Sequence, residues 1–160
     1  GRLRKLLMPQ VRLLSVLAVV ALAGCSSFEN RLEGSISSSF SLEFDTVNVR
    51  KQDVSLIVEY IKQSGPTLTK VAKMVLDTEN LRGLGKDSKI DGQLFKDRVV
   101  VQREAPSGGD FPEVQSGELE FGDFEFQAGG NVSGSFNVGF VNGRTLYGEF
   151  TGTVEEVSLE

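Results

Sequence analysis

Between Phe136 and Val154, apolar residues recur at every second position before an Asn-Gly pair and, with glycines between them, at every fourth after it. Few folds other than a paired β-sheet admit that pattern. Phe136, Val138 and Phe140 lead to Asn142-Gly143, and Leu146, Phe150 and Val154 follow. A two-residue turn pairs 141 with 144 and 138 with 147, which puts the two apolar rows on opposite faces. A three-residue loop, Val141-Asn142-Gly143, pairs 140 with 144 and 138 with 146 and unites them. The three-residue loop is therefore predicted, with Gly143 as the left-handed residue of a bulge. Tyr147, Glu149, Thr151 and Thr153 then look outward. Gly148 and Gly152 fall on the inner face, where a missing side chain permits curvature or close packing.

The same alternation runs through the chain from Gly34 onward. Ile36, Phe40, Leu42 and Phe44 share one parity, interleaved with serines and Glu43, which predicts a half-buried strand. Asp45 to Arg50 continues it or begins a second. Val54 to Ile61 fits a strand (Val54, Leu56, Val58, Tyr60) or a helix (Val54, Ile57, Val58, Ile61). Its β-branched and aromatic content favours the strand. Ser64-Gly65-Pro66 marks a turn. Leu68 to Leu76 is preferred as the hairpin partner, with a helical face through Leu68, Val71, Ala72, Val75 and Leu76 as the alternative. Leu81 to Gly92 is expected to be a loop, Leu94 to Arg103 a strand through Val99-Val100-Val101, and Ala105 to Pro112 a loop. In Leu119 to Phe126 the apolar parity switches across Gly122-Asp123. A two-residue turn there, or a bulge in one long strand, would each repair it. The turn would set Glu120 opposite Glu125.

These segments predict an all-β domain of roughly six to ten strands, mainly antiparallel, as a β-sandwich or a partly open β-barrel. The chain has 160 residues and shows no internal repeat or long low-complexity tract. The β-rich domain is assigned to 34–160, a size that can build a core without disulfides. One cysteine allows no internal disulfide in any case.

The N-terminus follows a different rule. Residues 1 to 12 are basic without an acid, Leu13 to Ala23 are apolar apart from Ser15, and Gly24-Cys25 is followed by Ser26-Ser27. A positive flank, a short apolar run and small residues at a cleavage point mark a secretory signal. The run is about half the ~20 residues that a membrane-spanning helix needs. A start at Met8 would give a compact signal of the same kind. Leu22-Ala23-Gly24-Cys25 resembles the lipobox of bacterial lipoproteins. The resemblance implies a diacylglyceryl group on the Cys25 sulfur, cleavage between Gly24 and Cys25, and acylation of the new amino terminus. Residues 1–24 would be removed, and 25–33 would be the lipidated cysteine and a polar tether. The chemistry suits the residues. A thiolate is the nucleophile that a thioether needs, and each buried lipid methylene contributes ~0.8 kcal/mol to anchoring. The competing assignment, a buried cysteine in an amphipathic helix, is opposed by Pro9 and by the lack of helical polar spacing from Leu13 to Ala23. In a cell with two membranes the sorting rule of this class, with Ser26 rather than aspartate after the cysteine, implies the outer membrane, facing the periplasm.

Charge and composition narrow the partners. Arg2, Arg4, Lys5 and Arg12 leave with the leader, so the mature part carries 13 basic and 22 acidic residues, a formal charge of −9. That balance argues against nucleic acid, whose binding runs on Lys and Arg neutralising phosphates. It argues equally against charge-driven docking on anionic lipid. The chain has no histidine, so the commonest general base and metal ligand is missing.

Several constellations have a chemical reading beside a bland one. Asp87-Ser88-Lys89-Ile90-Asp91-Gly92 is similar to the start of a calcium loop, but Lys89 stands at a ligand position and Arg98 where a bidentate glutamate belongs. A solvated loop is preferred. Glu118, Glu120, Asp123 and Glu125 would supply paired carboxylates, yet alternation places the glutamates on the polar side of an ordinary sheet. The serines lack a Gly-x-Ser-x-Gly elbow, and Asn131-Val132-Ser133 is a glycosylation sequon of little meaning in a bacterium. Most of the eleven phenylalanines have inward parity and are expected in the core. No catalytic, cofactor or metal residues are assigned. The expectation is a non-catalytic, membrane-anchored envelope lipoprotein, with an envelope protein as a possible partner. The alternative is a lipocalin-like carrier that lines a pocket with phenylalanines.

Overall fold

The computed structural model describes residues 27–158. They form ten strands, one short α-helix and a 3₁₀ turn. The strands are β1 (Arg31–Glu33), β2 (Thr46–Gln52), β3 (Ser55–Ser64), β4 (Thr67–Asp77), β5 (Lys89–Asp91), β6 (Val99–Glu104), β7 (Val114–Phe124), β8 (Asn131–Phe140), β9 (Thr145–Thr153) and β10 (Glu155–Glu156). The helix is α1 (Gly92–Arg98). Two five-stranded sheets result, ordered β1-β9-β8-β7-β5 and β10-β2-β3-β4-β6. We call them the first and the second sheet. Every pairing is antiparallel except β10 on β2. Neither sheet closes on itself, so the domain is a β-sandwich, the first of the two architectures expected.

The inner faces hold the core. Leu56, Val58 and Tyr60 of β3 and Met74 and Leu76 of β4 meet Leu119 and Phe121 of β7, Phe136, Val138 and Phe140 of β8, and Leu146 and Phe150 of β9. All are buried, and those of β3, β7, β8 and β9 sit at the parity that alternation predicts. Both ambiguous segments, 54–61 and 68–76, are strands. They pair as a hairpin through the turn at Gly65-Pro66, with a bulge at Tyr60/Ile61.

The β8–β9 hairpin has the predicted register, Val138 opposite Leu146. Phe140 N–H donates to Arg144 O at 2.9 Å, and Gly143 has φ 81°. Gly148 serves close packing, because the Phe136 ring occupies the space that a Cβ would need. At Gly122-Asp123 the chain does not turn. β7 runs on as one strand, with a bulge between Phe121 and Phe124. That places Glu120 opposite Ser135 and Lys89, away from Glu125.

Four expectations need correction. The strand predicted through Ile36 to Phe44 is a 3₁₀ turn, Ser35–Ser38, followed by irregular chain. Ile36 is buried, and Phe40, Leu42 and Phe44 pack on the core, so alternation reported burial without a ladder. Leu94 to Arg98 is helical, not extended. α1 buries only Phe95, too little to leave a 3.6-residue pattern, and the Phe95 ring fills the space above Gly117. The predicted loop 81–92 contains β5, which pairs with β7. The tether assigned to 25–33 ends in β1, so the sandwich takes in residues before Gly34.

Candidate functional site: the N-terminal strap and the charged face opposite

The lipobox residues Leu22, Ala23 and Gly24 and the predicted lipid site Cys25 lie outside the described residues. What the structure places is the chain directly after them. β1 lies on the edge of the first sheet, Arg31 opposite Glu149. Before Arg31 the chain leaves that edge and crosses the sheet's outer face. Asn30 Oδ1 accepts from Thr151 N–H at 2.9 Å, and Glu149 Oε1 accepts from Glu29 N–H at 2.6 Å. The Phe28 ring then fills the space that a Cβ on Gly122 would take, beside the Ser133 hydroxyl. Leu119 and Phe121 point inward and are buried, so Gly122 faces outward. The covering ring explains why Ser133, an outward serine, is only 7% exposed. Its hydroxyl is not left idle, since it accepts from Asp123 N–H at 2.9 Å. Gly122 therefore does a second job beside the bulge. Its missing side chain gives the strap a seat.

The outer face of the second sheet has a different character. Glu59 of β3 is 1% exposed, although it points away from the core. Arg50 Nη1 from β2 donates to its Oε1 at 2.7 Å, and Lys70 Nζ from β4 stands 2.8 Å from its Oε2. Lys70 also lies 3.2 Å from Glu104 Oε2, and Lys73 lies 3.1 Å from Glu104 Oε1. The ladder crosses β2, β3, β4 and β6. Burial pushes the Glu59 carboxyl up, but Lys70 and Arg50 outweigh it and hold the group below the usual glutamate range. The Lys70 ammonium is held up chiefly by Glu59, and Glu104 is lowered chiefly by Lys73. The opposite charges offset one another, which is how charge is tolerated out of water.

The other sequence candidates separate in space. In the calcium-like segment, Lys89 pairs with Glu118 at 3.0 Å, Asp87 N–H donates to Gly122 O, and Ser88 Oγ accepts from Gly85 N–H. The first two attach β5 and the residues before it to β7, and the third closes the loop on itself. Glu120, Asp123 and Glu125 are exposed on β7 and the loop after it. Among the described residues no group of three or more His, Cys, Asp or Glu is placed to hold a metal ion, and no helix is long and apolar enough to cross a membrane. The phenylalanines pack on one another between the sheets. Phe40 meets Phe111 edge-on with centroids 5.4 Å apart, Phe111 lies 5.5 Å from Phe140, and Tyr60 lies 6.1 Å from Phe136. An open recess of about 360 Å³ lies beside β6, lined by Val99 to Gln102 and by Phe111 and Pro112.

Sequence reasoning missed the buried carboxylate and the strap. Glu59 was visible only as a polar residue in an apolar run. Its burial depends on cations two neighbouring strands supply. Phe28 had one signal, as the single aromatic residue of the predicted tether.

Searches against protein-family models, curated proteins and solved structures found no match.

Proposed function

We propose that the chain is the precursor of a bacterial lipoprotein, cleaved before Cys25 and held on a membrane by lipid on that sulfur. The sandwich acts in the cell envelope by binding or as structure, without catalysis. The observation that supports this reading is the strap. The chain is fixed to the sandwich from Phe28, three residues after the lipobox cysteine. A leader that is removed and an anchor that is kept need such a boundary, with the fold beginning just past the modified residue. Ser26 favours the outer membrane where the cell has two. The carrier alternative draws less support, because the aromatic rings fill the space between two open sheets instead of lining a pocket there.

Mass spectrometry of the protein from its own host tests the reading. The expected mature chain begins at Cys25 and carries acyl chains, and a Cys25→Ser variant leaves the membrane fraction. An unmodified sulfur, or a serine variant bound as tightly as the parent, would falsify it.

A further inference from the structure

We infer that the outer face of the first sheet is turned toward the membrane at short range, and that the charged face of the second sheet is turned away from it. The inference rests on the lipid anchor proposed above and adds an orientation to it. The partner is the lipid headgroup surface, and the ground is where the described chain starts. Phe28 sits on the outer face of the first sheet, over Gly122 and Ser133. Cys25 is three residues away in sequence, and an extended chain covers at most ~3.5 Å per residue, so the lipid lies within about 10 Å of that seat.

Depth then decides the orientation. Stacked sheets lie about 10 Å apart, with a layer of side chains beyond each. To bring the outer face of the second sheet to the headgroups, the tether would have to span the whole sandwich, roughly twice its reach. The strap cannot easily peel away to lengthen it. Asn30, Glu29 and Arg31 are each hydrogen-bonded to β9. Charge does not draw the near face into the lipid. Glu118, Glu120, Asp91 and Glu149 outnumber Lys89 and Arg31 there. An acidic face gains nothing from an anionic surface, so the face is held by the tether and not by adsorption. The Arg50–Glu59–Lys70–Glu104 ladder is left facing the envelope space.

Fluorescence quenching tests this on the lipidated protein. Its own sulfur is then a thioether, so a second cysteine takes the label alone. Glu120→Cys marks the near face, while Asn48→Cys and Val100→Cys mark the far one. All three positions are exposed. The protein is placed on phosphatidylcholine vesicles carrying a headgroup nitroxide. Quenching at position 120 should exceed that at 48 and 100 several-fold, and a long Gly/Ser insert between Ser26 and Ser27 should erase the difference. Floating protein that is quenched equally at the three positions, or more at 48 and 100, overturns the orientation and leaves the anchor standing. Protein that does not float with the vesicles overturns both.

Discussion

The Tyr60 phenol reaches across the sandwich and donates a 2.7 Å hydrogen bond to the Glu149 carbonyl, joining β3 of one sheet to β9 of the other. The ring is fully buried, edge-on to Phe44 at 5.1 Å. Tyr60→Phe keeps that packing and removes the bond. The expected loss in urea unfolding is about 1 kcal/mol, the net value of an ordinary intramolecular hydrogen bond.

Burial, aided by Glu149 and Tyr147, raises the Tyr60 pKa well above its ordinary value. Unfolding exposes a phenol that ionises near pH 10. The folded state therefore holds the proton longer, and the stabilisation is fully present below the unfolded pKa and falls as pH rises beyond it. Thermal melting across the alkaline range should show this decline, and Tyr60→Phe should flatten it.

Glu59 gives the opposite slope. Its folded pKa is lowered, so its contribution is present above the ordinary glutamate value and is lost as pH falls through the folded one. Glu59→Gln removes the charge at nearly constant shape, leaves Arg50 without its counter-ion and leaves Lys70 with Glu104 alone. Breaking a buried pair costs about 3–5 kcal/mol. Arg50 and Lys70 keep some access to water, with side chains 29% and 32% exposed. The expected cost is therefore nearer ~2 kcal/mol. Denaturant titration at neutral and acid pH should show the gap between parent and variant closing in acid.

Two glycines of one hairpin should respond differently to alanine. At Gly148 a methyl group would run into the Phe136 ring. Overpacking there should cost about 1–3 kcal/mol. At Gly143 there is open space but φ is 81°. The cost there is the left-handed conformation alone, about 1 kcal/mol. Equilibrium unfolding of both variants would check the order.

Phe28→Ala should loosen the strap without unfolding the sandwich. Ser133 would meet water, the hydrogen bond of Asp123 N–H to Ser133 would lose its cover, and that of Thr151 N–H to Asn30 would open with the loosened strap. Faster hydrogen exchange at Thr151 and Asp123, with the amides of β3 and β4 unchanged, is the expected pattern. Uniform exchange across the domain would contradict it.

By itself the sequence determined which side chains face inward on β3, β7, β8 and β9, and the loop that joins β8 to β9. It did so because the period of two is a property of the extended backbone, and because one register alone unites Phe136 and Val138 with Leu146 and Phe150. It also determined where a leader would be expected to end. Tertiary structure decided what local pattern does not encode. Ile36 to Phe44 kept its alternation of burial but found no strand to pair with, and α1 exists to set Phe95 over Gly117. The bulge at Gly122, the seat of Phe28 upon it and the burial of Glu59 among cations from β2 and β4 all depend on residues far apart in the chain. Such contacts arise only once both sheets are assembled, since each needs a partner that its own segment does not contain.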